Sequence, residues 1–122
     1  MTIKVSRYNY AAQFDDIDGL TAELRAALIS GDYILGATVR SFEEQLAGFL
    51  GCQYAVGVNS GTDALVISLQ ALNIGPGDEV LTVANTFHAT ALAVLRVGAS
   101  LRLVDCRPDN YSMDLDQLEK IV

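Results

Sequence analysis

The stretch Tyr54-Ala55-Val56-Gly57-Val58-Asn59-Ser60-Gly61-Thr62-Asp63-Ala64-Leu65 constrains this chain more than any other. Its first half is an apolar run, and residues 54–58 read as a short buried strand. The run breaks at Asn59-Ser60-Gly61. A helical pattern begins at once, with Leu65, Leu69 and Leu72 on one face and Ala64, Ile67 and Ala71 beside it. The chain therefore passes from a strand through a tight turn into a helix N-terminus. The first turn of a helix carries N–H groups without intrahelical partners, and the peptide dipoles place partial positive charge there. Gly61 admits close approach to the backbone, and Ser60 and Thr62 add hydroxyl donors. Such a junction can hold an anion, commonly a phosphate. A serine or threonine before a helix also serves as a plain N-cap, and the stretch alone leaves both readings open. It is not a P-loop, because no Gly-Lys-Ser/Thr follows, and Gly57 with Gly61 does not make the dinucleotide fingerprint.

The rest of the chain supplies a frame for that junction. Residues 1–16 show no sustained period and read as an extended arm, in which Tyr8, Tyr10 and Phe14 suggest packing on another subunit. Ile17, Leu20, Leu24, Ala27 and Leu28 recur at helical spacing until Ser30-Gly31-Asp32. After a short extended piece, Tyr33-Ile34-Leu35-Gly36, Thr38 is placed to cap a second helix. That helix buries Val39, Phe42, Leu46, Phe49 and Leu50 and stops at Gly51. The two helices thus occupy residues 17–50. Beyond the central junction, Gly75-Pro76-Gly77-Asp78 is a turn, and residues 79–83 read as a strand. Ala84-Asn85-Thr86-Phe87-His88 leads into a small-residue helix, residues 89–97, with Arg96 its one charge. Gly98 ends it. Residues 101–104 make a third strand, and Asp114 with Gln117 resembles a capping box for a last helix.

The order is α-α-β-α-β-α-β-α, so residues 51–122 form βαβαβα units of a mostly parallel sheet with helices on both faces. Right-handed crossovers put both strand-to-helix junctions at the carboxyl edge of the sheet, where ligands of open α/β sheets bind. Ser60-Gly61-Thr62 and Thr86-Phe87-His88 are thus expected to face one cleft. Three parallel strands leave two unpaired edges, and the chain stops a turn or two into a helix. The expectation is the front part of a longer fold.

Composition excludes several classes. A formal charge of −7 with scattered acids and no basic stripe argues against nucleic acid. No apolar run nears the length of a membrane span, and no signal peptide is visible. Cys52 and Cys106 are two cysteines, too few for a disulfide framework. These features lead to the expectation of a soluble protein of the reducing cytoplasm.

Six segments taken together carry a resemblance. They are Ser30-Gly31-Asp32-Tyr33-Ile34-Leu35-Gly36, Val56-Gly57-Val58-Asn59-Ser60-Gly61-Thr62-Asp63-Ala64-Leu65, Ile74-Gly75-Pro76-Gly77-Asp78-Glu79-Val80, Asn85-Thr86-Phe87-His88-Ala89-Thr90, Val97-Gly98-Ala99 and Val104-Asp105. In that order and spacing the chain resembles the DegT/DnrJ/EryC1/StrS family, pyridoxal-phosphate-dependent aminotransferases of fold-type I acting mostly on nucleotide-linked keto-sugars. The resemblance implies the N-terminal portion of the large, cofactor-binding domain. It implies that Ser60, Gly61 and Thr62 hold the phosphate of pyridoxal 5'-phosphate and that Phe87 stacks on its ring, a flat aromatic shielding the ring from water. His88 is a weaker candidate for cofactor or substrate contact. The partners implied are a nucleotide-linked keto-sugar, glutamate or glutamine as amino donor, and a second copy in a homodimer with Tyr33 near the interface.

One departure is large. The family's chemistry uses a lysine that forms a Schiff base with the cofactor aldehyde, and Lys4 and Lys120, the two lysines here, match that position in neither case. The acidic partner of the pyridine nitrogen falls in the family beyond Val122, and Asp105 does not match it. The chain is therefore expected to lack a catalytic residue of its own, to be inactive alone, and to need a complementing C-terminal polypeptide. Two other readings stand beside the aminotransferase: a family relative that uses the cofactor for dehydration, and a non-catalytic binding or dimerisation module.

Overall fold

The computed structural model describes residues 8–122, so Lys4 and the start of the arm lie outside the described residues. Eight elements follow in order. They are α1 (Tyr10–Gln13), α2 (Ile17–Ser30), α3 (Ala37–Leu50), α4 (Gly61–Ala71), β1 (Glu79–Val83), α5 (His88–Arg96), β2 (Ser100–Val104) and α6 (Leu115–Leu118). The fold is mixed α/β with a parallel sheet and helices. Two compact units divide it, one ending at Gly57 and one running Val58–Val122.

In the first unit, α2 starts where Asp16 accepts the Gly19 N–H and stops at Gly31, whose φ of 72° is left-handed. The arm is not uniformly extended, since residues 10–13 make one helical turn. The Tyr8 and Tyr10 rings stack at 5.4 Å. The piece from Tyr33 to Gly36 is bent, with Leu35 left-handed at φ 52°. Helix α3 begins one residue after Gly36, not at Thr38. The reason is a remote cap: the Asp32 carboxylate accepts the Ala37 N–H at 2.8 Å. A Cβ at Gly36 would collide with the Asp32 carbonyl oxygen, so glycine is what lets the chain close this turn. Gly51, at φ 70°, ends α3 as expected.

The expected strand at residues 54–58 is not formed. The sheet among the described residues has two strands, β1 and β2, and Tyr54 and Val56 are both 77% exposed. Apolar character marks a segment to be covered, but a strand exists only where another offers its hydrogen bonds. Neither β1 nor β2 does so here.

The second unit is built on a β1-α5-β2 crossover. The strands pair in parallel from Glu79 with Ser100 to Val83 with Val104. The Gly75–Asp78 turn leads in, Asp78 accepting the Gly75 N–H through its side chain at 2.8 Å and the Ser100 N–H through its carbonyl at 2.8 Å. Gly98 (φ 81°) turns α5 into β2, and a Cβ there would press on the Pro76 ring at 3.1 Å. The two turns are thus packed together at the amino ends of both strands. Helix α5 covers the sheet with small side chains, so Ala89, Ala93 and Val94 are buried with Ala99 and Val104. Helix α4 packs on α5 in turn. The last helix starts at Asp114, which caps Asp116 and Gln117. The reciprocal half of a capping box is replaced: the Asp114 N–H goes to the Asp105 carbonyl at 2.9 Å and the Gln117 amide reaches the Asp105 carboxylate at 3.5 Å. No helix among the described residues is long and apolar enough to cross a membrane.

Candidate active site

The first turn of α4 is closed by its own side chains. Ser60 is extended (φ −158°, ψ 163°) and its Oγ accepts the Asp63 N–H at 3.1 Å. The Ser60 carbonyl takes the Ala64 N–H at 2.9 Å. Such a cap stabilises a helix by about 1 kcal/mol. The N–H groups of Gly61 and Thr62 remain, and no acceptor among the described residues meets them. They are the donors that the sequence assigned to an anion. A Cβ built on Gly61 meets nothing within 4 Å.

The Ser60 hydroxyl is already engaged. It donates to the Asp63 carboxylate at 3.0 Å, and the Asn59 amide donates to the same oxygen at 3.2 Å. The other Asp63 oxygen lies 3.6 Å from the Arg96 guanidinium at the end of α5. The sequence reading passed over Asp63 and gave Arg96 no role. A Ser-x-x-Asp spacing was the available signal for Asp63, since an acid three residues after a cap is the capping-box pattern. Nothing in the sequence pointed to Arg96 as its partner.

The second junction, residues 84–88, leaves the carboxyl end of β1 and enters α5. Phe87 occupies the N-cap position without a side-chain cap. The turn is held by the Thr86 and Thr90 hydroxyls, 2.9 Å apart, and by the Thr90 N–H to the Phe87 carbonyl at 3.0 Å. Phe87 is 69% exposed and is not a core aromatic here. His88 lies against it, ring centroids 4.0 Å apart and tilted 50°. The expectation that both junctions share one sheet edge rested on a third strand, and that premise is gone. Helix α4 lies on α5, and Asp63 in the first turn of α4 reaches Arg96, the last residue of α5, at the other end of that helix from Phe87.

Lys120, beyond α6, is exposed, and its N–H donates to the Gln117 carbonyl at 3.1 Å. Asp105, after β2, is tied to α6 as described.

Residues 15–122 match the DegT/DnrJ/EryC1/StrS aminotransferase family. The chain belongs to that family. It is 42% identical over 105 residues to UDP-2-acetamido-2-deoxy-3-oxo-D-glucuronate aminotransferase of Pseudomonas aeruginosa, an alignment covering 86% of this chain and 29% of that protein. It superposes on the crystal structure of S. venezuelae DesV in complex with a ketimine intermediate with a TM-score of 0.87 and 37% identity, over 99% of this chain and 33% of that one. NtdA from Bacillus subtilis, with bound cofactor PMP, gives a TM-score of 0.84 and 32% identity over 98% of this chain and 29% of its own. The chain thus spans about a third or less of the length of these DegT/DnrJ/EryC1/StrS relatives. The family depends on pyridoxal phosphate and its members include sugar aminotransferases, so the donor set can be tested against that group. A phosphate needs N–H donors, and the start of α4 offers those of Gly61 and Thr62, which no acceptor among the described residues meets. A pyridine ring needs a flat apolar face, and exposed Phe87 offers one. The residues fit.

Proposed function

We propose that this chain supplies the phosphate cup and ring platform of a pyridoxal-phosphate-dependent aminotransferase acting on a nucleotide-linked keto-sugar, with glutamate or glutamine as amino donor. The observation that supports it best is the pair of N–H groups at Gly61 and Thr62, which no acceptor among the described residues meets, in a chain of this family. The UDP-linked sugar in the name of the Pseudomonas relative supports the substrate class.

When bound, the cofactor supplies the electron sink that lets an amino group move between donor and keto carbon. The chain's own residues bind and orient. The Gly61 and Thr62 N–H groups and the Thr62 hydroxyl would hold the phosphate, and Phe87 would shield the ring from water on one side. Ser60, bonded to Asp63, holds the turn in place. The complete unit works as a homodimer with Tyr33 near the interface.

The test is a titration of the complemented protein, this chain together with the part that completes the family's fold, followed by cofactor absorbance. Saturable binding is expected, lost in Gly61→Val with circular dichroism unchanged. Wild-type affinity in both Gly61→Val and Thr62→Val would place the site elsewhere and reduce Ser60-Gly61-Thr62 to a helix cap.

A further inference from the structure

The cup contains a contradiction that the cofactor reading leaves unexplained. An anion at the start of α4 would sit beside Asp63, the third residue of the same helix. A carboxylate there is itself stabilised by the positive end of the helix dipole and competes with any incoming anion for that potential. At 32% side-chain exposure Asp63 is only partly screened by water. A site meant for a phosphate would be expected to avoid such a residue or to neutralise it.

Every Asp63 oxygen has a partner. Oδ2 accepts from the Ser60 hydroxyl at 3.0 Å and the Asn59 amide at 3.2 Å. Oδ1 faces Arg96 of α5 at 3.6 Å. Arg96 is the single charged residue on α5. Two of these contacts tie the turn together, and the third sets a cation beside the carboxylate.

We propose that Asp63 and Arg96 are paired positioning residues for the anion cup. Asp63 locks Asn59 and Ser60 so that the Gly61 and Thr62 N–H groups are presented, and Arg96 removes the repulsion that the Asp63 carboxylate would exert on a bound phosphate. The inference rests on the cofactor reading above, and it assigns Arg96 an action through Asp63 and not by touching the ligand. It also makes the contact between α4 and α5 part of the binding chemistry, because one helix supplies the charge that the other's first turn needs.

The experiment is a thermodynamic cycle in the complemented protein, read as the dissociation constant of pyridoxal 5'-phosphate, with pyridoxal, which lacks the phosphate, as the control probe. Arg96 is 62% exposed and Asp63 32%, so the effect is of the size of a largely screened pair, about twofold to fivefold. Arg96→Gln is expected to weaken pyridoxal phosphate binding by that factor, more at low salt than at high salt, and to leave pyridoxal unaffected. In an Asp63→Asn background the same Arg96→Gln change should cost nothing, since the amide carries no charge to neutralise and still accepts from Ser60 and Asn59. A penalty that persists in that background means Arg96 meets the phosphate directly, and the proposal falls. An Arg96→Gln protein that binds like wild type overturns it too. A wild-type protein that binds no pyridoxal phosphate overturns the cofactor reading itself, a result distinct from either.

Discussion

The Glu43 carboxylate of α3 accepts the Gly57 N–H at 2.6 Å, across fourteen residues of chain. This bond anchors the segment that follows α3 in the first unit, where no sheet partner holds it. A Cβ on Gly57 would come within 3.3 Å of the same carboxylate oxygen, so the glycine allows the approach. Glu43→Ala is expected to lower unfolding stability by about 1 kcal/mol, less than the usual ~1.5–3 kcal/mol of a hydrogen bond to a charged group because this bond is exposed to water. Glu43→Gln should retain most of it, because the amide oxygen still accepts. Urea denaturation of the complemented protein, both variants against wild type, measures this.

Thr62→Val separates the hydroxyl from the backbone donors. Valine keeps the branched shape, so the fold should hold while cofactor affinity falls by about tenfold to 150-fold, the value of one hydrogen bond to a charged group at about 1.5–3 kcal/mol. Gly61→Val should do more. Its side chain enters space that nothing in the protein occupies, so it costs the fold little and the ligand much. Absorbance titration with circular dichroism as the fold control distinguishes the two.

Phe87→Ala should act on the ring and not on the fold. The side chain is 69% exposed, and exposed substitutions usually stay within about 0.5 kcal/mol in stability. The expected outcome is an altered cofactor absorbance maximum or weaker cofactor binding, with an unchanged melting curve.

Within the second unit, Val104→Ala should cost about 2 kcal/mol, because the side chain is 2% exposed beneath α5. Arg102→Ala, two residues earlier in the same strand, breaks the 3.2 Å pair with Glu79. Both of those side chains are nearly half exposed, so it should cost under about 1 kcal/mol. Denaturation midpoints of the two variants give the comparison.

The complemented protein should run as a dimer in light scattering at micromolar concentration. The exposed aromatic side chains Tyr8, Tyr10 and Phe14 near its start, and Tyr33 after α2, supply the surface that motivates this. A mass of one unit only would sink it.

Local signals were legible in the sequence and remote partners were not. Residues 79–83 declared a strand by apolar composition after a Gly-Pro-Gly-Asp turn, and β1 has those limits. Gly31 and Gly51 end their helices in left-handed conformations that glycine adopts freely. Ser60 caps α4, as its place before a helical period required. The failures share one cause. Residues 54–58 were assigned a strand without knowledge of a partner. Thr38 was preferred as a cap because the Asp32 carboxylate, five residues before Ala37, could not be seen to reach it. The capping box at Asp114 lost its reciprocal half to Asp105, whose proximity is tertiary. At the candidate site, Gly61 and Thr62 came from their position at a helix start, and Phe87 from the family resemblance. Arg96 lies a whole helix and a strand away from Asp63, and only folding introduces them.

The closed turn at Asn59, Ser60 and Asp63 has a kinetic consequence. Because those side chains satisfy one another before any ligand arrives, the cup needs no ordering step on association. Less conformational entropy is then lost on capture than a floppy loop would lose. Cofactor uptake should therefore follow a single exponential whose rate rises linearly with cofactor concentration, without the plateau that a slow rearrangement imposes. Loosening the turn by Ser60→Gly would introduce that plateau before it measurably altered the equilibrium fold.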